Sequence, residues 1–254
     1  MATRLADHPA DLEPGPGSGV DPGEVARLRA ARERVEGRIA AACRRVGRDP
    51  AEVALVAVSK TVPAERLRAA VAAGIDLLGE NRVQEAAGKV PEVPGARWHL
   101  VGPLQSNKAR RAVELFDVIE TVDSVDLAVR LDRIVGELRP GIRYPVLLQV
   151  NVDRDPAKAG LDPEAVAWAL ERIGELARLE VRGLMTIGRL VTEAEAARPT
   201  FRALRALAER LRRQGLPLGP ELSMGMTDDF EVAVEEGATI VRVGRAIFGE
   251  RPAG

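Results

Sequence analysis

From residue 53 onward the sequence alternates short apolar, β-branched runs with stretches of helical periodicity, and it does so eight times. That alternation marks parallel βα units, because strands covered on both faces read as continuous apolar runs while each crossover helix keeps one polar face. The runs are Val53–Ser59, Ile75–Gly79, Arg97–Val101, Val118–Thr121, Val146–Val150, Val181–Ile187, Glu221–Met224 and Thr239–Val243. Helical stretches between them include Pro63–Ala73, Gln84–Val90, Asn107–Leu115, Ser124–Leu138, Pro163–Leu176, Pro199–Arg213 and Asp228–Glu236. Pro63, Pro163 and Pro199 stand where a helix starts, and Gly74, Gly215 and Gly237 where one stops. Eight units in about 200 residues predict an α/β fold, a single (β/α)8 TIM-type barrel, with the active site at the C-terminal strand ends. A doubly wound open sheet is the alternative. The first turn, Ser59-Lys60-Thr61-Val62-Pro63, lacks the glycines of a dinucleotide fingerprint and argues against it.

Ahead of the barrel, residues 1–20 are Pro/Gly-rich and polar and are expected to form a disordered tail carrying His8. Val25, Leu28, Val35, Ile39, Ala42 and Val46 then recur at helical spacing and predict an amphipathic helix over 22–46, an addition before the main domain. The domain assignment is therefore a tail, 1–20, and one barrel domain, 21–254, including that helix. A net charge of −1 and a pI near 6.3 give no electrostatic match to nucleic acid or an anionic membrane. The single cysteine, Cys43, allows no internal disulfide and fits a reducing compartment. With no apolar run of membrane-spanning length and no signal-like start, a cytoplasmic location is expected.

The barrel gathers the residues after each strand at one mouth. These are Lys60; Gly79-Glu80-Asn81-Arg82; Gly102-Pro103-Leu104-Gln105-Ser106-Asn107; Asn151; Met185-Thr186; Ser223-Met224-Gly225-Met226-Thr227; and Arg242-Val243-Gly244-Arg245. Lys60 stands out because only four of the 37 basic residues are lysines, the others being Lys89, Lys108 and Lys158. A guanidinium cannot act as an amine nucleophile, whereas a desolvated lysine amine at a strand end can form a Schiff base with a carbonyl. On position alone, a lysine snorkelling to solvent is the simpler reading.

The last two loops read as an anion site. Ser223 and Thr227 offer hydroxyls, Gly225 and Gly244 allow close backbone approach, and a helix predicted from Asp228 directs its positive end there. A lysine facing a phosphate site in a barrel mouth suits pyridoxal 5'-phosphate (PLP). Arg242 opposite the pyridine nitrogen disfavours its protonation and weakens the ring as an electron sink. Asn81 can hydrogen-bond the ring 3-oxygen. Such a site favours holding the aldehyde over stabilising a carbanion.

These residues also form a recognisable set. Ala57-Val58-Ser59-Lys60-Thr61, Gly79-Glu80-Asn81 with Val83-Gln84-Glu85, Trp98-His99 with Gly102, Leu104-Gln105 and Asn107-Lys108, Gly183-Leu184-Met185, Leu222-Ser223-Met224-Gly225-Met226, and Val241-Arg242-Val243-Gly244 followed by Ala246-Ile247-Phe248-Gly249 resemble the pyridoxal phosphate homeostasis protein family. The resemblance runs from about residue 24 to 251. It implies a barrel similar to the N-terminal domain of alanine racemase, PLP held as a Schiff base on Lys60, and no established catalytic turnover. By position it implies Asn81 at the ring, Arg242 at its nitrogen, and Ser223 and Gly244 at the phosphate, with the backbone N–H of Arg245 beside them; Gly225 joins this set from the anion-loop reading above. Arg82 stands where many members carry Tyr, Pro103 where several carry His, and Arg245 where a small hydroxyl residue is common. PLP-dependent apo-enzymes are the expected partners, and a monomer the expected state.

His99, within strand three, is read as a packed, hydrogen-bonded histidine in preference to a catalytic one. Lys158 is the competitor of Lys60 but falls on a loop expected to be mobile, and Lys89 and Lys108 fall on helices and are read as solvated. Met185, Met224 and Met226 are read as packing. A racemase of this barrel type needs a second acid/base, and the only tyrosine, Tyr144, precedes strand five at the far end of the barrel. A one-base racemase-like enzyme and a cofactor-free Schiff-base aldolase remain as enzymatic alternatives.

Overall fold

The computed structural model describes residues 20–188 and 191–250. Residues 1–19, within the predicted tail and including His8, lie outside the described residues. Eight parallel strands close into one barrel in sequence order. They are β1 (Ala54–Val58), β2 (Leu77–Glu80), β3 (Arg97–Leu100), β4 (Val118–Val122), β5 (Tyr144–Gln149), β6 (Leu179–Met185), β7 (Glu221–Ser223) and β8 (Ile240–Val243). The ring closes through β1 and β8, where Val56 pairs with Arg242. The helices are α1 (Pro22–Arg45), α2 (Ala64–Ala72), α3 (Val83–Lys89), α4 (Ala109–Leu115), α5 (Val125–Leu138), α6 (Val166–Gly174), α7 (Arg198–Arg213), α8 (Phe230–Glu235) and α9 (Arg245–Phe248). Predicted and observed elements agree to within a few residues, as terminal turns fray. Ser124 caps α5 by accepting from Leu127 N at 3.3 Å. The helix expected from Asp228 starts at Phe230, with Asp229 as its N-cap residue.

Strand alternation divides the core into two layers. One face of each strand meets the helices in a large apolar layer that includes Leu78, Leu100, Ile119, Leu148 and Val241. The other face fills the lumen with Val56, Leu77, Val101, Val118, Leu147, Met185 and Ile240. Small residues permit close packing where strands and loops meet. A Cβ on Gly183 would fall 2.8 Å from Glu221 Cα on the neighbouring strand.

The N-terminal helix is more than an addition. Among the described residues, the helix after β8 is the four-residue α9, too short to cover the seam between the last and first strands. Helix α1 packs against α2, α8 and α9 and covers that seam, burying Val25, Leu28, Val35, Ile39 and Cys43 in the outer core layer. Sequence periodicity identified the helix but could not reveal that it takes the eighth place in the ring. Among the described residues, no helix is long and apolar enough to cross a membrane.

Candidate functional site

Lys60 is half-buried at the end of β1. Val56 and Val58 belong to the lumen, and the same alternation carries Lys60 to the mouth. Asn81, also half-buried, follows β2. Gly102, after β3, explains how Asn81 comes so close, since a Cβ on Gly102 would lie 2.7 Å from Asn81 Cα. Only a residue without a side chain allows the two loops that contact.

Below the mouth runs a buried polar column. Arg242 Nη1 donates to Ser223 Oγ at 2.6 Å, and Arg242 Nη2 donates to Thr186 O at 2.8 Å. Ser223 Oγ donates to Glu120 Oε2 at 2.5 Å, and His99 Nδ1 meets Glu120 Oε1 at 2.6 Å. Glu120 is wholly buried on β4, between Ile119 and Val122, where the register with β5 shifts. Such irregularities re-aim side chains. Burial alone raises the Glu120 carboxyl's pKa, but the His99 hydrogen bond and the charges of His99 and Arg242 outweigh it and hold the group below the usual carboxylate value. Burial lowers the pKa of Arg242, opposed by the charges of Glu120 and Asp229. The column gives the cation a balanced, rigid seat. His99 is packed and hydrogen-bonded, as the sequence reading preferred.

The Ser223 hydroxyl, expected from the sequence at the phosphate, bonds Arg242 and Glu120. Ser223 ends β7 with its side chain turned toward Arg242. Glu120 itself was missed. Its signal was an acid at lumen parity within the apolar run Val118-Ile119-Glu120-Thr121-Val122.

At the β7 and β8 ends, Gly225 has φ of +91°, and a Cβ there would fall 2.5 Å from Ala233 Cβ. Its carbonyl accepts from Arg242 N at 3.0 Å, which locks the loop to the next strand. Met226 N donates to Asp229 Oδ1 at 2.6 Å. Thr227 is half-buried beside this turn, and Gly244 begins α9 with its Cα side facing Val58 O. Arg245 is exposed, and its guanidinium pairs with Asp228, joining the rims of the two loops, with Glu250 at 3.8 Å. Arg82 and Pro103 are exposed.

Lys89, read from the sequence as solvated, is buried. It ends α3 and turns inward behind β1, donating to Ser59 O at 2.8 Å, Glu80 Oε1 at 2.6 Å and Glu85 Oε1 at 2.6 Å. Its partners on other elements supply what helical periodicity cannot show. Burial raises the Glu80 pKa against the lowering effect of its bonds from Lys89 and Ser59. At Glu85 burial raises too, but the bonds from Lys89 and Thr61 N prevail and the value is lowered.

Lys158 donates to Gly188 O at 2.8 Å and Ile187 O at 3.3 Å. Its loop is pinned, since Asn151 Nδ2 donates to Asp155 O at 2.8 Å and Asn151 Oδ1 accepts from Asp155 N at 3.1 Å. Asn151 is thus occupied in holding the loop. Tyr144 opens β5, at the end opposite the mouth, and its hydroxyl donates to Phe116 O at 2.7 Å. Among the described residues, no group of three or more His, Cys, Asp or Glu side chains is placed to hold a metal ion.

A barrel with a strand-end lysine, a lumen arginine and glycine loops at β7 and β8 defines a class, and residues 32–252 match the family described as alanine racemase, N-terminal domain. The chain belongs to the pyridoxal phosphate homeostasis protein family. It is 44% identical over 226 residues to the pyridoxal phosphate homeostasis protein of Pseudomonas aeruginosa, covering 87% of this chain and 94% of that one. It is also similar to PipY of Synechococcus elongatus solved with PLP bound, with a TM-score of 0.74, 43% identity, and coverage of 89% of this chain and 100% of the other. Alanine racemase from Clostridium difficile shares the fold at 14% identity, with a TM-score of 0.69 and coverage of 90% of this chain and 57% of that one.

Proposed function

We propose that this protein serves intracellular PLP homeostasis, holding the cofactor as a reversible Schiff base on Lys60. The observation that carries the reading is Lys60 at the mouth, next to the strand that bears a buried Arg242 whose guanidinium is fixed by Ser223 and Thr186. PLP bound with its phosphate at the β7 and β8 loops fits this frame, and the relatives named for PLP support it. Lys60 would hold PLP through its aldehyde, and the group would supply a carbonyl carbon from which water or a competing amine could release the lysine.

The residues divide the work by position. Asn81 takes the ring 3-oxygen. Arg242, permanently charged and backed by Glu120, faces the ring nitrogen and disfavours its protonation. Gly225, Gly244 and the backbone of Arg245 surround the phosphate, with the Thr227 and Ser223 hydroxyls offered from the same loop. Ser223 positions Arg242. We place the protein in the cytoplasm as a monomer that supplies PLP-dependent apo-enzymes, and we assign it no turnover. The one-base racemase-like alternative requires α-proton exchange of an amino acid in deuterated water.

Absorption spectroscopy tests the reading. With PLP, the protein is expected to show a band near about 420 nm, where protonated pyridoxal Schiff bases absorb. Lys60→Ala is expected to lose it. A Lys60→Ala protein that keeps the band through borohydride reduction and dialysis would contradict the assignment.

A further inference from the structure

The buried cluster behind β1 lies outside the lumen, and it touches the ring-facing residues through Asn81 N, which donates to Glu80 Oε2 at 3.3 Å. Its contacts converge on the two residues flanking Lys60. On one side, Ser59 Oγ is within hydrogen-bond reach of Gly79 O at 3.1 Å and Glu80 Oε1 at 2.8 Å, while Ser59 O accepts from Lys89 Nζ. On the other, Thr61 N donates to Glu85 Oε1 at 2.5 Å. Lys89 Nζ joins the two halves by donating to both carboxylates as well.

We infer that Lys89, with Glu80 and Glu85, is a positioning device for Lys60: it fixes the main chain on both sides of that residue and so sets where the amine is presented. The inference rests on the reading that Lys60 carries the cofactor. Thr61 supplies an independent sign of it. Its φ of +65° is left-handed, an arrangement that a β-branched residue adopts only where its surroundings impose it. Thr61 sits in the turn that Val62 N closes on Ser59 O at 3.0 Å, and its N–H is held by the Glu85 carboxylate, itself bonded to Lys89. Lysine also suits the place chemically. Its ammonium directs three donors from one atom, and three acceptors converge on it, whereas the planar guanidinium fork of arginine spreads its donors over three nitrogens. This explains a lysine in a chain where arginine carries nearly all other positive charge.

The test follows PLP release from the whole protein, read as decay of the absorption near about 420 nm after mixing with excess scavenging amine, with melting temperatures recorded alongside. Glu85→Ala removes the acceptor for Thr61 N at a partly exposed helix position. Glu85→Gln keeps an oxygen there. The expected result is release about tenfold faster or more for Glu85→Ala and for Lys89→Met, with Glu85→Gln close to wild type. Release from Glu85→Ala at the wild-type rate, or equally fast release from both Glu85 variants, would overturn the inference, and the Glu85 pair decides it even where Lys89→Met fails to fold. A wild-type protein with no band in PLP contradicts the Lys60 reading itself. A normal band with unchanged release from Glu85→Ala contradicts only the positioning role.

Discussion

Lys60 and Lys89 show how little a residue's type says until its neighbours are known. Both are lysines close to the same strand end, yet one reaches the mouth and the other is bonded to three acceptors behind it. The placement of Lys60, Asn81 and Arg242 at the mouth end of the barrel was legible in the sequence because strand position and parity are local properties. Glu120 and Lys89 were not, because their meaning comes from distant partners: Ser223 and Glu120 lie 103 positions apart. Gly102 belongs to the legible set and offers a sharp test. Gly102→Ala places a methyl group against the Asn81 backbone. The expected cost is about 1–3 kcal/mol of stability, by chemical denaturation, together with weaker PLP binding as Asn81 moves.

At the level of elements, the eight strands and the helices between them could be read because their apolar periods differ. The place of α1 could not. A lone amphipathic stripe states that a helix must bury one face but not against what. Here the short α9 leaves the β8–β1 seam to α1, and Leu28 is almost wholly buried there. Leu28→Ala is therefore expected to cost about 2–5 kcal/mol, the range for emptying a core leucine site. We propose that residues 21–254 form one domain, so the variant should melt in a single transition shifted to lower temperature. A separate early transition, with the barrel's own melting unchanged, would make α1 an appendage.

For the molecule as a whole, the acidic groups pull stability in two directions as pH falls. Glu235 and Glu236 close α8 against α7. Burial raises both, but hydrogen bonds from Arg198 to each, with Arg45 on Glu235 and Arg202 on Glu236, prevail and lower their pKa values. A group so lowered contributes stability that is complete above the ordinary carboxylate value of about 4.3 and is lost as pH falls through the lowered one. Glu80 and Asp229, raised by burial, favour the folded state on protonation and oppose that loss. Glu236→Gln is expected to lower neutral-pH stability by about 1 kcal/mol, its arginine partners being partly exposed. Its acid-unfolding curve should also be shallower than wild type below the ordinary carboxylate range.

All these features serve one claim, that the barrel presents Lys60 as a reversible tether for PLP. The most direct measurement is borohydride reduction of the PLP-loaded protein followed by peptide mass spectrometry. The phosphopyridoxyl mass is expected on the peptide containing Lys60. Its appearance on a peptide containing Lys89, Lys108 or Lys158 instead, with the Lys60 peptide unmodified, would contradict it.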